Sequence, residues 1–137
     1  MPYPGPKLYA AQGVSGLYVL VYPDGSTFLH LDLSSALNIM IWTQKGLGGE
    51  TGADWHIFSR EHKAILRRFL RRHFPGQNNE DIDPIHSQIH YLDANLLRLL
   101  KEEENIEPFY VRQQQGDAVL IPAGCPHQVS AVLFISS

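Results

Sequence analysis

The sequence predicts a mainly β fold, a sandwich or barrel of short strands with helices inserted between an early and a late sheet segment. Short apolar runs rich in β-branched and aromatic residues recur along the chain, among them Leu17-Tyr18-Val19-Leu20-Val21-Tyr22 and Ala118-Val119-Leu120-Ile121. Turn chemistry bounds them, as in Pro23-Asp24-Gly25 and Gln115-Gly116-Asp117. Two segments in the middle of the chain carry helical periodicity and do not alternate with the strands, which argues against a doubly wound sheet.

The elements follow in order. Met1-Pro2-Tyr3-Pro4-Gly5-Pro6 lacks the basic start and apolar core of a signal peptide and reads as an extended lead-in over 1–7, with a single domain over 1–137 and its core at about 8–135. After the turn at residues 23–25, a strand runs from about Thr27 to Leu33 and breaks at Ser34-Ser35. Leu37-Asn38-Ile39-Met40-Ile41-Trp42 forms the next strand, with Asn38 as its lone polar residue. Lys45-Gly46-Leu47-Gly48-Gly49-Glu50-Thr51-Gly52 reads as a glycine-rich loop. It lacks the lysine–serine ending and following helix of a phosphate loop.

Trp55-His56-Ile57-Phe58 is a brief strand. Ser59 can cap a helix running to about Phe74, with Ile65, Leu66, Phe69 and Leu70 on its apolar face. Lys63, Arg67, Arg68, Arg71 and Arg72 crowd the other side, as a solvated face or one that meets an acidic partner or nucleic-acid phosphate. Pro75-Gly76 stops this helix and a polar loop follows, from Gln77 to Asp83. Asp93 caps a second helix that turns Leu96, Leu97 and Leu100 inward. Phe109-Tyr110-Val111, Ala118–Ile121 and Val129–Ile135 are the late strands.

At 137 residues the chain has the size of one domain, and its 44% hydrophobic content permits a real core. A formal charge of −3 argues against bulk affinity for nucleic acid, so direct DNA contact is not expected from this domain alone. No apolar run is long enough to cross a bilayer. One cysteine, Cys125, excludes an internal disulfide and a cysteine-rich zinc module, and fits a reducing compartment.

The chemistry concentrates at Thr27-Phe28-Leu29-His30-Leu31-Asp32. On a strand, His30 and Asp32 point to one face, and an imidazole beside a carboxylate makes two-thirds of a facial metal site. His127, in Ile121-Pro122-Ala123-Gly124-Cys125-Pro126-His127, is the candidate third ligand. Two histidines and a carboxylate with open positions opposite them suit non-haem Fe(II) oxygenases. His56, His86 and His90 read as core residues or as hydrogen-bond partners of the ligands, His86 being the one to watch. Cys125 reads as a small packing residue.

These stretches, together with Gly52-Ala53-Asp54-Trp55-His56-Ile57-Phe58, Asp83-Pro84-Ile85-His86-Ser87-Gln88, Tyr91-Leu92-Asp93 and Gly116-Asp117-Ala118-Val119-Leu120-Ile121-Pro122-Ala123-Gly124, resemble one family. The chain resembles the JmjC domain of the Fe(II)- and 2-oxoglutarate-dependent oxygenases, with the lysine demethylase 3 / Hairless subgroup as the closest likeness. The resemblance implies a double-stranded β-helix, a cupin-like jelly roll, holding Fe(II) through His30, Asp32 and His127. It also implies a 2-oxoglutarate cosubstrate whose far carboxylate meets Thr27, Asn38 and Lys45. Thr27 lies three before His30, so a regular pleat would turn it away from the ligands; the contact needs local twist or a bulge. The implied activity is that of a dioxygenase, a histone lysine demethylase acting on methyl-lysine of the H3 tail in the nucleus. The alternatives are a non-catalytic scaffold for chromatin proteins, docking through the Arg67–Arg72 helix, and a hydroxylase of another protein.

Two departures from the family pattern stand out. The segment after Trp42 is short, and the chain ends soon after His127, where the family pattern continues. The barrel is therefore expected to be incomplete, lacking a strand beside His127 and leaving that ligand on a frayed edge with weak activity.

Overall fold

The computed structural model describes residues 26–43, 49–77 and 81–135. Six strands and two α-helices occur among them. They are β1 (Thr27–His30), β2 (Ala36–Ile39), β3 (Gly49–Ile57), α1 (Lys63–His73), α2 (Ala94–Glu104), β4 (Phe109–Gln113), β5 (Ala118–Ile121) and β6 (His127–Ile135). All ladders are antiparallel: a four-stranded sheet in the order β1-β6-β3-β4 and a two-stranded sheet of β2 and β5. The two sheets share no ladder among the described residues, so the jelly roll stays open there.

Strand alternation assigns the faces. In β3, Ala53, Trp55 and Ile57 are buried, whereas Asp54 and His56 between them are only half-buried. Val119 and Ile121 of β5 are buried and Ala118 and Leu120 exposed. The inward residues of both sheets meet in one apolar cluster with Cys125, flanked by Ala36, Met40, Val111 and Val129. This cluster is the interior of the jelly roll, and Cys125 is a packing residue in it, as expected.

The second core lies between the large sheet and the helices. Leu66, Phe69 and Leu70 of α1 and Leu100 of α2 pack with Leu29, Phe58, Ile85, Leu92 and Ile106. Each fully buried side chain of this size contributes roughly 1.5–3 kcal/mol. The helix starts follow the sequence signals. Ser59 accepts from the backbone N–H of Glu61 at the head of a short 3-10 turn that leads into α1, and Asp93 accepts from Leu96 N–H at the head of α2.

Several boundaries differ from the sequence expectation. Residues 17–22 and the lysine at 45 lie outside the described residues. Gly49–Gly52, read as loop, forms the first half of β3 because Gly49, Glu50, Thr51 and Gly52 pair with Ile135, Phe134, Leu133 and Val132 of a β-branched strand. A long ladder outweighs the weak intrinsic strand preference of glycine. The first ligand strand stops at His30, not Leu33, and β2 covers Ala36–Ile39 alone. The largest correction concerns His127. Its strand was expected at an edge, yet β6 lies between β1 and β3, hydrogen-bonded on both sides. The edge strands of this sheet among the described residues are β1 and β4.

The charged side of α1 is largely answered within the chain. Arg67 bonds Asp83 at 2.7 Å, and Arg72 bonds Glu103 and Glu104 of α2. These pairs are partly exposed, so water screens them and they add little to stability.

A segment without strand geometry, His90-Tyr91-Leu92, is stitched across the outer face of the sheet. His90 O accepts from Leu29 N–H at 2.8 Å. The Gln128 side chain, fully buried, accepts from Leu92 N–H at 2.8 Å and donates to Leu92 O at 2.7 Å. One amide thereby fills both hydrogen-bonding groups of one residue. Gln128→Leu keeps the volume and strands both peptide groups, so unfolding free energy should fall by about 2–5 kcal/mol; a loss below about 1 kcal/mol in urea titration would contradict this role.

Three histidines are held neutral by burial. Desolvation pushes His90, His56 and His127 below the ordinary imidazole value, against an opposing pull from Asp54 at His56. The unfolded chain takes up protons at these residues near pH 6.5, where the folded chain resists. Their contribution to stability is therefore retained above that pH and lost as pH falls through it. The urea midpoint should be lower at pH 5.5 than at pH 7.5, and equal midpoints would show that burial leaves these imidazoles unperturbed.

Candidate metal centre

His30 closes β1 and His127 opens β6, and the two are direct partners across the antiparallel ladder. Their rings lie 4.3 Å apart, tilted by 56°. Each is oriented in the same way. His30 Nδ1 lies 2.8 Å from Phe28 O, and His127 Nδ1 lies 2.9 Å from Cys125 O. A carbonyl can only accept, so both rings carry the proton on Nδ1 and present a bare Nε2 lone pair. Such an outer hydrogen bond on the far nitrogen is what fixes a ligating histidine. Burial pushes His127 further toward the neutral form, helped by neighbouring His30 and opposed by the Cys125 carbonyl and Asp32.

Asp32 arrives differently from the sequence expectation. It lies beyond the end of β1, so strand periodicity does not aim it, and its side chain is about half exposed. Its position is set by the turn before β6. Gly124 N–H donates to Asp32 O at 2.8 Å, and Ala123 N–H donates to Ser35 Oγ at 3.0 Å. These bonds tie the segment after His30 to the segment before His127. As a result Asp32 Oδ2 sits 3.9 Å from His127 Nε2, too far for a hydrogen bond and facing a shared space.

One donor atom from each of His30, Asp32 and His127 lies within 4.8 Å of the others. Metal–donor lengths of about 2.0–2.2 Å put adjacent donors about 3 Å apart, so the set is slightly expanded and could close around an ion by small side-chain shifts. The donor chemistry fits a divalent transition metal: two neutral imidazoles, one carboxylate and an open side. The wall behind it is apolar. Trp55 stacks 6.2 Å from the His127 ring at 28°, and Ile57 pairs with His127 across the β3–β6 ladder.

The remaining candidates are placed unevenly. The β1–β6 register pairs Thr27 with Val129 and His30 with His127, three residues against two, so the ladder contains an irregularity. Val129 and His127 share a face of β6, and the bulge therefore brings Thr27 to the ligand face despite its odd offset. Thr27 itself is exposed. Asn38 lies on the face of β2 that carries Ala36 and Met40 toward the interior cluster. His86 is exposed and outside the cluster. His56 packs against Tyr110 on the outer face of the sheet, and buried His90 against Phe74. Sequence reasoning missed Gln113 and Trp55. Gln113, only 1% exposed, accepts from Trp55 Nε1 at 2.8 Å and donates to Asn38. The signal was available as a glutamine in a strand whose partner strand carries a tryptophan.

The family profile described as "JmjC domain, hydroxylase" matches residues 23–134. The chain belongs to the JmjC family. This JmjC chain is 35% identical over 161 residues to lysine-specific demethylase 3A-A of Xenopus laevis, covering 91% of this chain and 12% of that protein. It is 35% identical over 160 residues to lysine-specific demethylase 3 of Drosophila melanogaster, covering 91% and 18%. Over 85 residues it is 48% identical to lysine-specific demethylase JMJ27 of Arabidopsis thaliana, covering 57% and 10%. The JmjC chain thus spans a small part of the length of these relatives. The 161-residue alignment exceeds the 137 residues of the chain, so the relative carries residues within the matched region that this chain lacks.

Gly124 is the residue on which the placement of Asp32 turns. Its φ of +74° is a left-handed conformation, and an added Cβ would meet nothing closer than Lys63 Nζ at 3.9 Å. The penalty for a side chain is conformational, roughly 1–2 kcal/mol. Gly124→Ala should lower stability by that amount and weaken divalent-metal binding, read together by thermal unfolding with and without metal. Unchanged values in both would remove the turn from the account.

Proposed function

We propose that this JmjC chain is an Fe(II)- and 2-oxoglutarate-dependent dioxygenase that demethylates lysine in a histone tail, acting in the nucleus as a single domain over 1–137. The observation that carries the reading is the convergence of His30, Asp32 and His127 with both imidazoles turned by backbone carbonyls. The substrate class rests on the names of the relatives, which are lysine-specific demethylases.

In this reading bound Fe(II) would let O₂ act as the oxidant with 2-oxoglutarate as co-reductant: one oxygen atom would leave in succinate with loss of CO₂, and the other would hydroxylate an N-methyl group, whose hemiaminal releases formaldehyde. The protein supplies positioning and shelter. His30 and His127 hold the ion through Nε2, each kept from rotating by its Nδ1–H bond. Asp32 adds negative charge from the solvent side. Trp55, Ile57, Val119 and Ile121 make one wall apolar and exclude water from behind the ligands. Thr27 and Asn38 offer polar groups to the far carboxylate of the cosubstrate. Lys45, outside the described residues, is the candidate for its charge partner.

The deciding experiment is mass spectrometry of methylated H3-tail peptides incubated with the chain, Fe(II), ascorbate and 2-oxoglutarate. Demethylated peptide with matching succinate is expected. Succinate accompanied by a stably hydroxylated protein substrate would redirect the reading to a JmjC hydroxylase. Metal binding without any turnover of 2-oxoglutarate would favour a scaffold, although Arg67 and Arg72, the basis of that alternative, already bond acidic residues of this chain.

Asp32→Ala should abolish metal binding and succinate formation while moving stability by no more than about 0.5 kcal/mol, because an exposed carboxylate packs little. Retained succinate production in this variant would rule out its role.

A further inference from the structure

We infer that Gln113 is a positioning residue that sets Asn38 as a hydrogen-bond donor toward the anionic end of the cosubstrate. The inference rests on the proposed dependence on 2-oxoglutarate and adds a residue outside the ligand set.

The argument is one of donors and acceptors. The indole N–H of Trp55 can only donate, so the group 2.8 Å from it must be the carbonyl oxygen of Gln113. That choice fixes the other end of the glutamine as its amide nitrogen. Gln113 Nε2 faces three acceptors: Asn38 O at 3.2 Å, Asp117 O at 3.1 Å and Asn38 Oδ1 at 3.1 Å. An amide nitrogen can only donate, so the Asn38 side-chain atom at 3.1 Å is its carbonyl oxygen, which shares the two Nε2 hydrogens with the backbone carbonyls, and Asn38 Nδ2 is turned to the other side. Gln113 is buried and Asn38 half-buried on the interior face, so water competes poorly for these bonds.

The same tryptophan lies against the His127 ring. One polar chain, Trp55–Gln113–Asn38, thus runs from the neighbourhood of the metal ligands to a side chain on the second sheet. It bridges β3, β4 and β2, which no ladder joins across the two sheets among the described residues. The Asn38 amide N–H₂, turned away from Gln113, can donate to an oxyanion. If Asn38 were flipped, its oxygen would face the carboxylate and repel it.

Gln113→Met tests this with little change in volume. The thioether offers no N–H, so nothing holds Asn38 Oδ1 and the Asn38 amide is free to turn. The readout is the visible spectrum of the Co(II)-loaded full chain, titrated first with the metal and then with 2-oxoglutarate. Metal affinity should stay within about twofold while 2-oxoglutarate affinity drops about tenfold or more, the size expected for losing a hydrogen bond to a charged group. Trp55→Phe is the second variant, useful if Gln113→Met does not fold. It keeps an aromatic ring beside His127 and removes only the donor that dictates the Gln113 orientation, so 2-oxoglutarate affinity should fall several-fold with metal affinity held. Wild-type protein that binds Co(II) and not 2-oxoglutarate would refute the functional reading. Wild type that binds both, with either folded variant keeping wild-type 2-oxoglutarate affinity, would refute the role of Gln113 alone.

Discussion

The antiparallel pairing of β1 with β6 is the constraint from which the site follows. It places two histidines nearly a hundred residues apart in sequence directly opposite each other. The chain ends of the two strands then meet the turn at 122–126, which carries the carbonyl that orients His127 and the N–H that anchors Asp32. Two imidazoles brought this close repel if both are charged, and burial of His127 favours the neutral form. The ladder, the turn and the protonation state therefore support one arrangement. Removing the ladder would leave three polar residues with no reason to meet.

The bulge in that ladder shows how a local irregularity serves the site. With strict alternation, Thr27 and His30 would fall on opposite faces. Three residues of β1 set against two of β6 bring both to one face. Irregular pairing at this place costs ladder hydrogen bonds, and it falls on a strand that is at the sheet edge among the described residues, where fewer are lost.

Much of this was legible in the sequence because it is local. The alternation in Ala118–Ile121, the cap at Asp93 and the spacing of His30 and Asp32 each depend on neighbours within a few residues. His127 was legible as a partner for His30 from the demand for a third ligand, and the likeness of long stretches to a known family strengthened it. What was not legible depends on distant backbone. Periodicity alone extended the first strand through Asp32, whereas a hydrogen bond from Gly124 sets that residue instead. Gly49–Gly52 looked like a loop because its strand partners lie eighty or more residues away. His127 was assigned to an edge because adjacency of β6 and β3 is a property of topology, which residue composition does not carry. Gln113 was passed over because its meaning comes from four groups on three separate segments.

The Gln128 side chain has a consequence for how this surface can vary. It joins residues 90–92 to the ligand strand by imitating a rung of a ladder, so the peptide groups of Leu92 are recognised and its side chain is free to be chosen for packing alone. Asparagine is one methylene too short to span the same gap, and glutamate cannot donate to Leu92 O. The sensitivity of the whole join to sequence change is thereby concentrated at a single position of β6, one residue from His127.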